Sequence, residues 1–576
     1  TVGWKTPGVE VHAPICPSPV EHNNAGPREA RPMDNRELGS ATAARGWPAT
    51  ILGSDRPVDL ALVIATFALF TMVEHLARAA ATVTEADLGR PSLLAAAAAH
   101  RWWALVSLVA GAGVAVLLRP RRLLAPWGDL EQGRALRRFT GVLVVLLAWQ
   151  ASCYPYNWLA GRLHGADRVV VVALAAASLA RPAFLVPFAV AVRIMAEQFV
   201  LPFDTPAGRN IDDLLVLVVL AVAAGHLVYV VTGRNRTAPV LLVAASALAA
   251  HFFIPGKGKI AIGWLADGDL GNLPISSYAA GWRGGGDGSW ARWLADLLHT
   301  IRLPAMAGIL AVELGSIVAV TRPRFLRWWL PAAVGFHLAV FAITGFWFLS
   351  WIAVEVGLLV LLSAPSLRSW AAANATPARG LVAVAAVLGA PVLFHPPGLA
   401  WLDGPVSYGY RITATGVSGT RYSVDSAALA PLSHQVAFNR LQLGATVPAS
   451  GAYGAAATAA DIDALDPIGT FEQLDAYEAT LGRPTLVEPS QQFLADYLAY
   501  ANRPHRSPPA RLAHRLGPPE HFWTSGDGPA YRFQEPIRSL DAAIVRVLNT
   551  SFSEDRRTVL RLEIGPDGRP EVVNDR

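Results

Sequence analysis

The sequence predicts a mostly α protein: a polytopic transmembrane helix bundle of about eleven spans that carries a C-terminal soluble α+β domain. Three observations predict it. Of 576 residues, 53% are hydrophobic and 16% are charged, against roughly 25% charge in an ordinary soluble domain. The apolar residues fall in runs long enough to reach across a bilayer. Beyond Pro396 those runs give way to alternating and amphipathic segments. The expected organisation is a disordered tail over 1–50, a bundle over 51–396 and an extracytoplasmic α+β domain over 397–576.

The tail is rich in Pro, Ala and Arg and has no periodicity, the composition of a segment that cannot bury a core. No charged-then-apolar leader with a cleavage site is visible. The chain opens without Met, which leaves Met33 or an upstream residue as the start.

The spans are expected at about 57–79, 93–118 and 136–153. Arg119, Arg121, Arg122 and Arg134 lie between the last two, and Arg137 and Arg138 sit just inside the third. This strongest basic cluster beside the apolar runs assigns that edge to the cytoplasm. Runs at 168–180 and 182–203 follow, broken at Arg181-Pro182. Then come 214–232, 239–254, 303–320, two linked runs across 329–363, and 381–393. On this count Arg322, Arg324 and Arg327 fall inside, the N-terminus is cytoplasmic and the C-terminal domain lies outside the cell membrane. The stretch to about 300 holds Trp264, Trp282, Trp290 and Trp293, as an interfacial loop should.

In the C-terminal domain, residues 408–425 alternate at period two around Gly416-Val417-Ser418-Gly419, a hairpin pattern. Residues 461–503 read as helical. Residues 542–548, 558–564 and 571–573 read as strands, the last two joined at Pro566-Asp567-Gly568.

The net charge of +5 is small for this length, and the basic residues cluster beside apolar runs. That pattern points to the lipid bilayer as partner and away from nucleic acid. Cys16 and Cys153 provide neither a disulfide framework nor a Cys-based zinc site, and no metal is expected.

Chemistry concentrates in His251-Phe-Phe-Ile-Pro-Gly-Lys257-Gly-Lys259-Ile-Ala-Ile-Gly-Trp264. The chain has three lysines, Lys5, Lys257 and Lys259, and uses Arg nearly everywhere else. Guanidinium stays protonated, whereas a desolvated amine can shed its proton and act as a base or nucleophile. The plainer reading is two edge lysines that snorkel to the interface. Ionisable groups inside spans cost roughly 2.5–3.5 kcal/mol each on insertion scales, so they mark sites. They are Glu74, His75, Arg193, Glu197, His226, His251, Glu313, His337 and Glu355. Arg193 and Glu197 share a helical face and are expected to pair. Glu313 has no close sequence partner. His337 shares a face with Phe341.

The order of these features carries a resemblance. An apolar run ends near a Lys and Trp264 follows. A helix then carries Glu313-Leu314-Gly315. The next carries Phe336-His337 and continues into Thr344-Gly-Phe-Trp-Phe-Leu-Ser-Trp351, and a polar domain comes last. This arrangement, clearest over 250–365, resembles the vitamin K-dependent gamma-carboxylase-like membrane family, also called the horizontally transferred transmembrane domain. The resemblance implies a reduced vitamin K-type quinone as cofactor, with O2 and CO2 as co-substrates and a protein or peptide substrate at the outer face. It implies Lys259 as the base, with Lys257 as the alternative, and a catalytic His at His251 or His164. It makes Trp264, Glu313, His337 and Trp351 the residues around the quinone. The other class compatible with the sequence is a non-catalytic transport, immunity or assembly protein, in which the buried charges are structural or line a polar path.

Overall fold

The computed structural model describes residues 56–82, 120–153, 164–200, 209–429 and 455–573 apart from short internal gaps, plus a few single positions. The expected disordered tail and the span at 93–118 lie outside the described residues. Helices longer than four residues are α1 (Arg56–Thr82), α2 (Gly133–Cys153), α3 (Gly165–Ala180), α4 (Leu185–Val200), α5 (Arg209–Thr232) and α6 (Thr237–Ala261). They continue as α7 (Asn272–Ala279), α8 (Ser289–Thr300), α9 (Arg302–Ala319), α10 (Pro323–Thr344), α11 (Leu349–Ser363), α12 (Pro365–Asn374) and α13 (Pro377–Leu393). In the C-terminal part α14 (Ala459–Leu465), α15 (Phe471–Glu478) and α16 (Val487–Ala501) accompany seven strands.

Among the described residues five helices are long and apolar enough to cross a membrane, or six if the bent pair of α11 and α12 is one span. The eleven expected spans are not reached. The break at Arg181-Pro182 is present, but α3 and α4 have 16 residues each, about 24 Å at 1.5 Å per residue against a hydrocarbon core of roughly 30 Å. In α2 the first two turns hold Arg134, Arg137 and Arg138, which shortens its apolar part.

Two helices form the centre. The apolar windows of α5 and α6 are 78% and 72% buried, against 28% for α9 and α10. Both central helices are apolar on all sides, as a helix surrounded by others must be. α6 packs against α5, α9 and α13. Its run Ala244–Ala250, small at every position but Leu248, lets neighbours approach closely. The charge inside the bundle is gathered at Arg193 on α4. Its guanidinium is fully buried and contacts Glu74 on α1 (2.6 Å), Glu197 one turn on (3.0 Å) and Asp213 on α5 (2.7 Å). The expected Arg193–Glu197 pair is therefore half of a clamp joining three helices.

Residues 264–300, expected as a loop, are mostly helical and form the layer between bundle and sheet. The five-stranded antiparallel sheet has the order β3 (Arg421–Ser423), β2 (Val406–Gly416), β5 (Ile537–Leu548), β6 (Ser553–Ile564) and β7 (Pro570–Val572). A separate pair joins β1 (Leu402–Asp403) to β4 (Ala455–Ala456). The expected hairpin is β2–β3, and the three expected strands lie within β5, β6 and β7.

The alternation in β2 suggests one wet face, yet nearly all of it is buried. One face, with Tyr408, Tyr410, Ile412 and Ala414, enters the domain core. The other meets α7. Ser407 Oγ lies 2.6 Å from Ser276 Oγ, and Arg411 donates to the Tyr278 carbonyl (2.8 Å). A cation thus sits at the C-terminal end of α7, where free carbonyls favour it. Gly409 is required at the point of closest approach, because a Cβ there would lie 2.2 Å from the Ala279 oxygen.

Cross-strand from Tyr408, Arg546 on β5 is buried among Asp475 (2.6 Å) and Glu478 (2.9 Å) of α15 and Asp555 of β6. Hydrogen bonds from Arg557 and Arg546 hold the Asp475 carboxyl down at about 2.

Two predictions follow from this layer. Gly409→Val should separate β2 from α7 and destabilise the protein by roughly 1–3 kcal/mol, the range for overpacking, read as a lowered melting temperature in detergent. For Asp475→Asn, the unfolded carboxyl titrates near 3.9 and the folded one near 2. Its stabilising share is complete above the unfolded value and is lost as pH falls through the folded one. The melting-temperature gap between wild type and variant should therefore be constant above about pH 5 and shrink toward pH 2.

Candidate functional site

The site forms where α6 leaves the bundle. Gly256 has the decisive local role: a Cβ there would lie 2.9 Å from the Glu313 Cβ, so only glycine lets α6 meet α9 at that level. Less than one turn further, the Lys259 amine donates to Glu313 Oε1. The Lys259 side chain is 13% exposed and that of Glu313 is 3% exposed. Trp264, in a short helical turn just beyond, places its ring 5.5 Å from the Lys259 nitrogen. Trp264 itself is buried with Leu298, Met306 and Leu310. Lys257 is exposed. Two residues of helix turn a side chain by roughly 200°, so the two lysines face opposite ways and one alone meets α9.

Deeper in the bundle lies a second pair. His337 Nδ1 on α10 is 2.8 Å from Glu355 Oε1 on α11, and both side chains are fully buried. Aromatic rings close around His337. It stacks on Phe348 at 4.7 Å, meets Trp351 edge-on at 5.1 Å and lies 5.1 Å from Phe252. His251 meets the other side of this cluster, with its ring 5.4 Å from that of Trp351 and Nδ1 2.7 Å from the Ala247 carbonyl. Position 348 is held in place by the turn at Gly345 (φ 73°), where a Cβ would meet the Trp282 and Trp523 rings. Trp523 donates its indole N–H to the Thr344 carbonyl at 2.6 Å, so the C-terminal part braces the end of α10.

Among the described residues, buried polar atoms here without a hydrogen bond include His337 Nε2, Trp351 Nε1, Glu355 Oε2 and Glu313 Oε2. Buried polar atoms are nearly always partnered. These atoms lie on three helices, and the side chains around His337 are aromatic.

Thus Lys259, Glu313 and Trp264 come together at one level of the bundle, and His337, Trp351 and His251 come together in an aromatic cluster at another. Lys257 does not join them. Of the two histidines left open by the sequence, His251 enters the cluster, whereas His164 lies at the start of α3 facing Asp167 (3.6 Å). Glu355 is the member that sequence reasoning marked only as a buried charge. Its role as the partner of His337 depends on the fold of the Gly345 turn.

Comparison of the chain with protein-family models, with curated proteins and with solved structures finds no match.

Removing one half of a buried pair leaves an uncompensated charge, which costs about 3–5 kcal/mol. Lys259→Met and Glu313→Leu alone should each lower the melting temperature in detergent, with Lys259→Met the larger because it leaves the drier Glu313 carboxylate without its partner. The double variant should be more stable than the additive sum by more than 1 kcal/mol. Simple additivity would mean that the two groups are not coupled.

Proposed function

We propose that the chain is a membrane enzyme of quinol-linked chemistry that uses Lys259 as its base, in the manner of the gamma-carboxylase-like family it resembles. The observation that carries this reading is the sorting of two neighbouring lysines. One is free in solvent. The other is held inside a helix crossing by Glu313, beside aromatic rings and unsatisfied polar atoms.

Each residue has a part in this reading. Glu313 positions the amine and offers the proton a way out: moving it along the hydrogen bond from Nζ to Oε1 leaves a neutral amine that can accept another. Trp264 covers the amine and limits water. His337, oriented by Glu355, and Trp351 present ring N–H or lone-pair positions to a flat ring. His251 is the second proton-handling group. These donors and the walls of Phe252, Phe348 and Trp351 fit a naphthoquinone-type ring in their chemistry, apolar in face and polar at the edge. A reduced vitamin K-type quinone would supply reducing electrons for O2 and the base strength needed to join CO2 to a glutamate side chain. The eleven-span topology, with a cytoplasmic N-terminus and with Lys259 and the C-terminal domain on the outer side, belongs to the same proposal. There the domain would receive a protein or peptide substrate.

A second reading, a polar path for protons or cations, is favoured by the Arg193 clamp, where three carboxylates meet one guanidinium inside the bundle. In that reading Lys259 is structural.

Full-length protein in membranes, supplied with a reduced naphthoquinone, separates the two through oxygen uptake. Lys259→Arg keeps the charge and removes the base. It should lower the rate at least 100-fold, the lower end of what a general base contributes. Lys257→Arg should stay within about twofold of wild type, since that side chain faces solvent. A wild-type rate in Lys259→Arg would end the catalytic reading.

A further inference from the structure

A second feature lies on another face of the bundle and plays no part in the quinol proposal. An open groove of about 970 Å3 runs along α2, walled on its sides by α3 and α11. Its floor and walls are Gly141, Val142, Val145, Leu146, Leu179 and Leu349. Val142 and Val145 are 56% and 55% exposed, an apolar surface that water would not favour. At one end stand Arg134, Arg137 and Arg138, all exposed. Arg137 Nε is anchored on the Leu179 carbonyl at 2.9 Å, which fixes one guanidinium at the mouth. At the other end is Trp149, whose indole N–H donates to the Leu516 carbonyl at 2.5 Å.

Length and charge specify the occupant. From Arg137 to Trp149 the helix rises about 18 Å at 1.5 Å per residue. That is close to one leaflet of a hydrocarbon core roughly 30 Å thick. The groove is thus as long as one acyl chain is deep, apolar along its length and triply cationic at its mouth. Guanidinium groups bind phosphate oxygens through paired N–H donors. By the positive-inside rule this mouth opens on the cytoplasmic leaflet, where anionic lipids are found. Gly141 keeps the floor low where α2 passes α3, since a Cβ there would press on Leu179 at 3.2 Å.

We infer that this groove is a binding site for one anionic glycerophospholipid, with the phosphate held by Arg134, Arg137 and Arg138 and an acyl chain laid along Gly141 to Trp149. The site is selective for headgroup charge because the apolar part accepts any chain.

The test uses the full chain in detergent micelles, with bound lipid counted by native mass spectrometry. The probes are phosphatidylglycerol, phosphatidylcholine with the same chains, and inorganic phosphate. Wild type should retain phosphatidylglycerol well above phosphatidylcholine, and phosphate alone should not displace it. Arg134→Gln/Arg137→Gln/Arg138→Gln should lower phosphatidylglycerol affinity roughly 100-fold for three lost charges, down to the phosphatidylcholine level. Should that variant fail to fold, as judged by gel filtration and circular dichroism, Val145→Trp fills the groove without touching the charges and should weaken both lipids. Undiminished phosphatidylglycerol preference in the triple variant, or unchanged binding of both lipids in Val145→Trp, would overturn the assignment. So would displacement by phosphate alone, which would mean an ion site without a chain groove.

Discussion

The contact of Lys259 with Glu313 governs the arrangement of this end of the molecule. It exists because Gly256 has no side chain, so α6 and α9 touch there. A charge pair placed at such a crossing is worth more than one at the surface, since its neighbours are helices and an indole ring in place of water. The pair in turn orients the end of α6 from which the turn at Gly263 (φ 74°) sends the chain into Trp264 and the interlayer. A larger residue at 256 would disturb the ion pair, the turn and the packing of the layer below.

That layer, 264–300, is what joins the helix bundle to the sheet. Asn272 donates to the Asp403 carbonyl (3.1 Å) and accepts from Asn549 (2.8 Å), so a single side chain ties α7 to both β1 and the end of β5. Trp523 and Phe522 reach the C-terminal end of α10 from the other direction, through the Thr344 and Gly345 carbonyls. The sheet therefore bears on the helices that carry His337 and Lys259.

Three of the buried charges described in the bundle are met by groups on different helices. Arg193 meets Glu74 and Asp213, Lys259 meets Glu313, and His337 meets Glu355. The cost of an unpaired charge in an apolar medium makes such pairing the condition for keeping the charge at all. At the Lys259 end the pairing is incomplete in hydrogen bonds, with one oxygen of each glutamate left over.

The sequence by itself determined the class of the protein. Apolar runs marked the helices, the change at Pro396 marked where a sheet begins, the scarcity of lysine picked out Lys259, and the cost of charge in lipid picked out Glu313, His337 and Glu355 before any partner was known. These are local properties, carried by composition and by period. It did not determine how many of the runs cross, because α3 and α4 differ from full spans by only a few residues of length. Nor could it show that 264–300 is an interlayer, or that the polar face of β2 is covered by α7. Tertiary structure alone decided the pairs, since Lys259 and Glu313 are 54 residues apart and meet only through a helix crossing. It also decided which of two nearly adjacent lysines turns toward α9 and which is exposed. The helical turn sets them on opposite faces, and only packing says which face is inside.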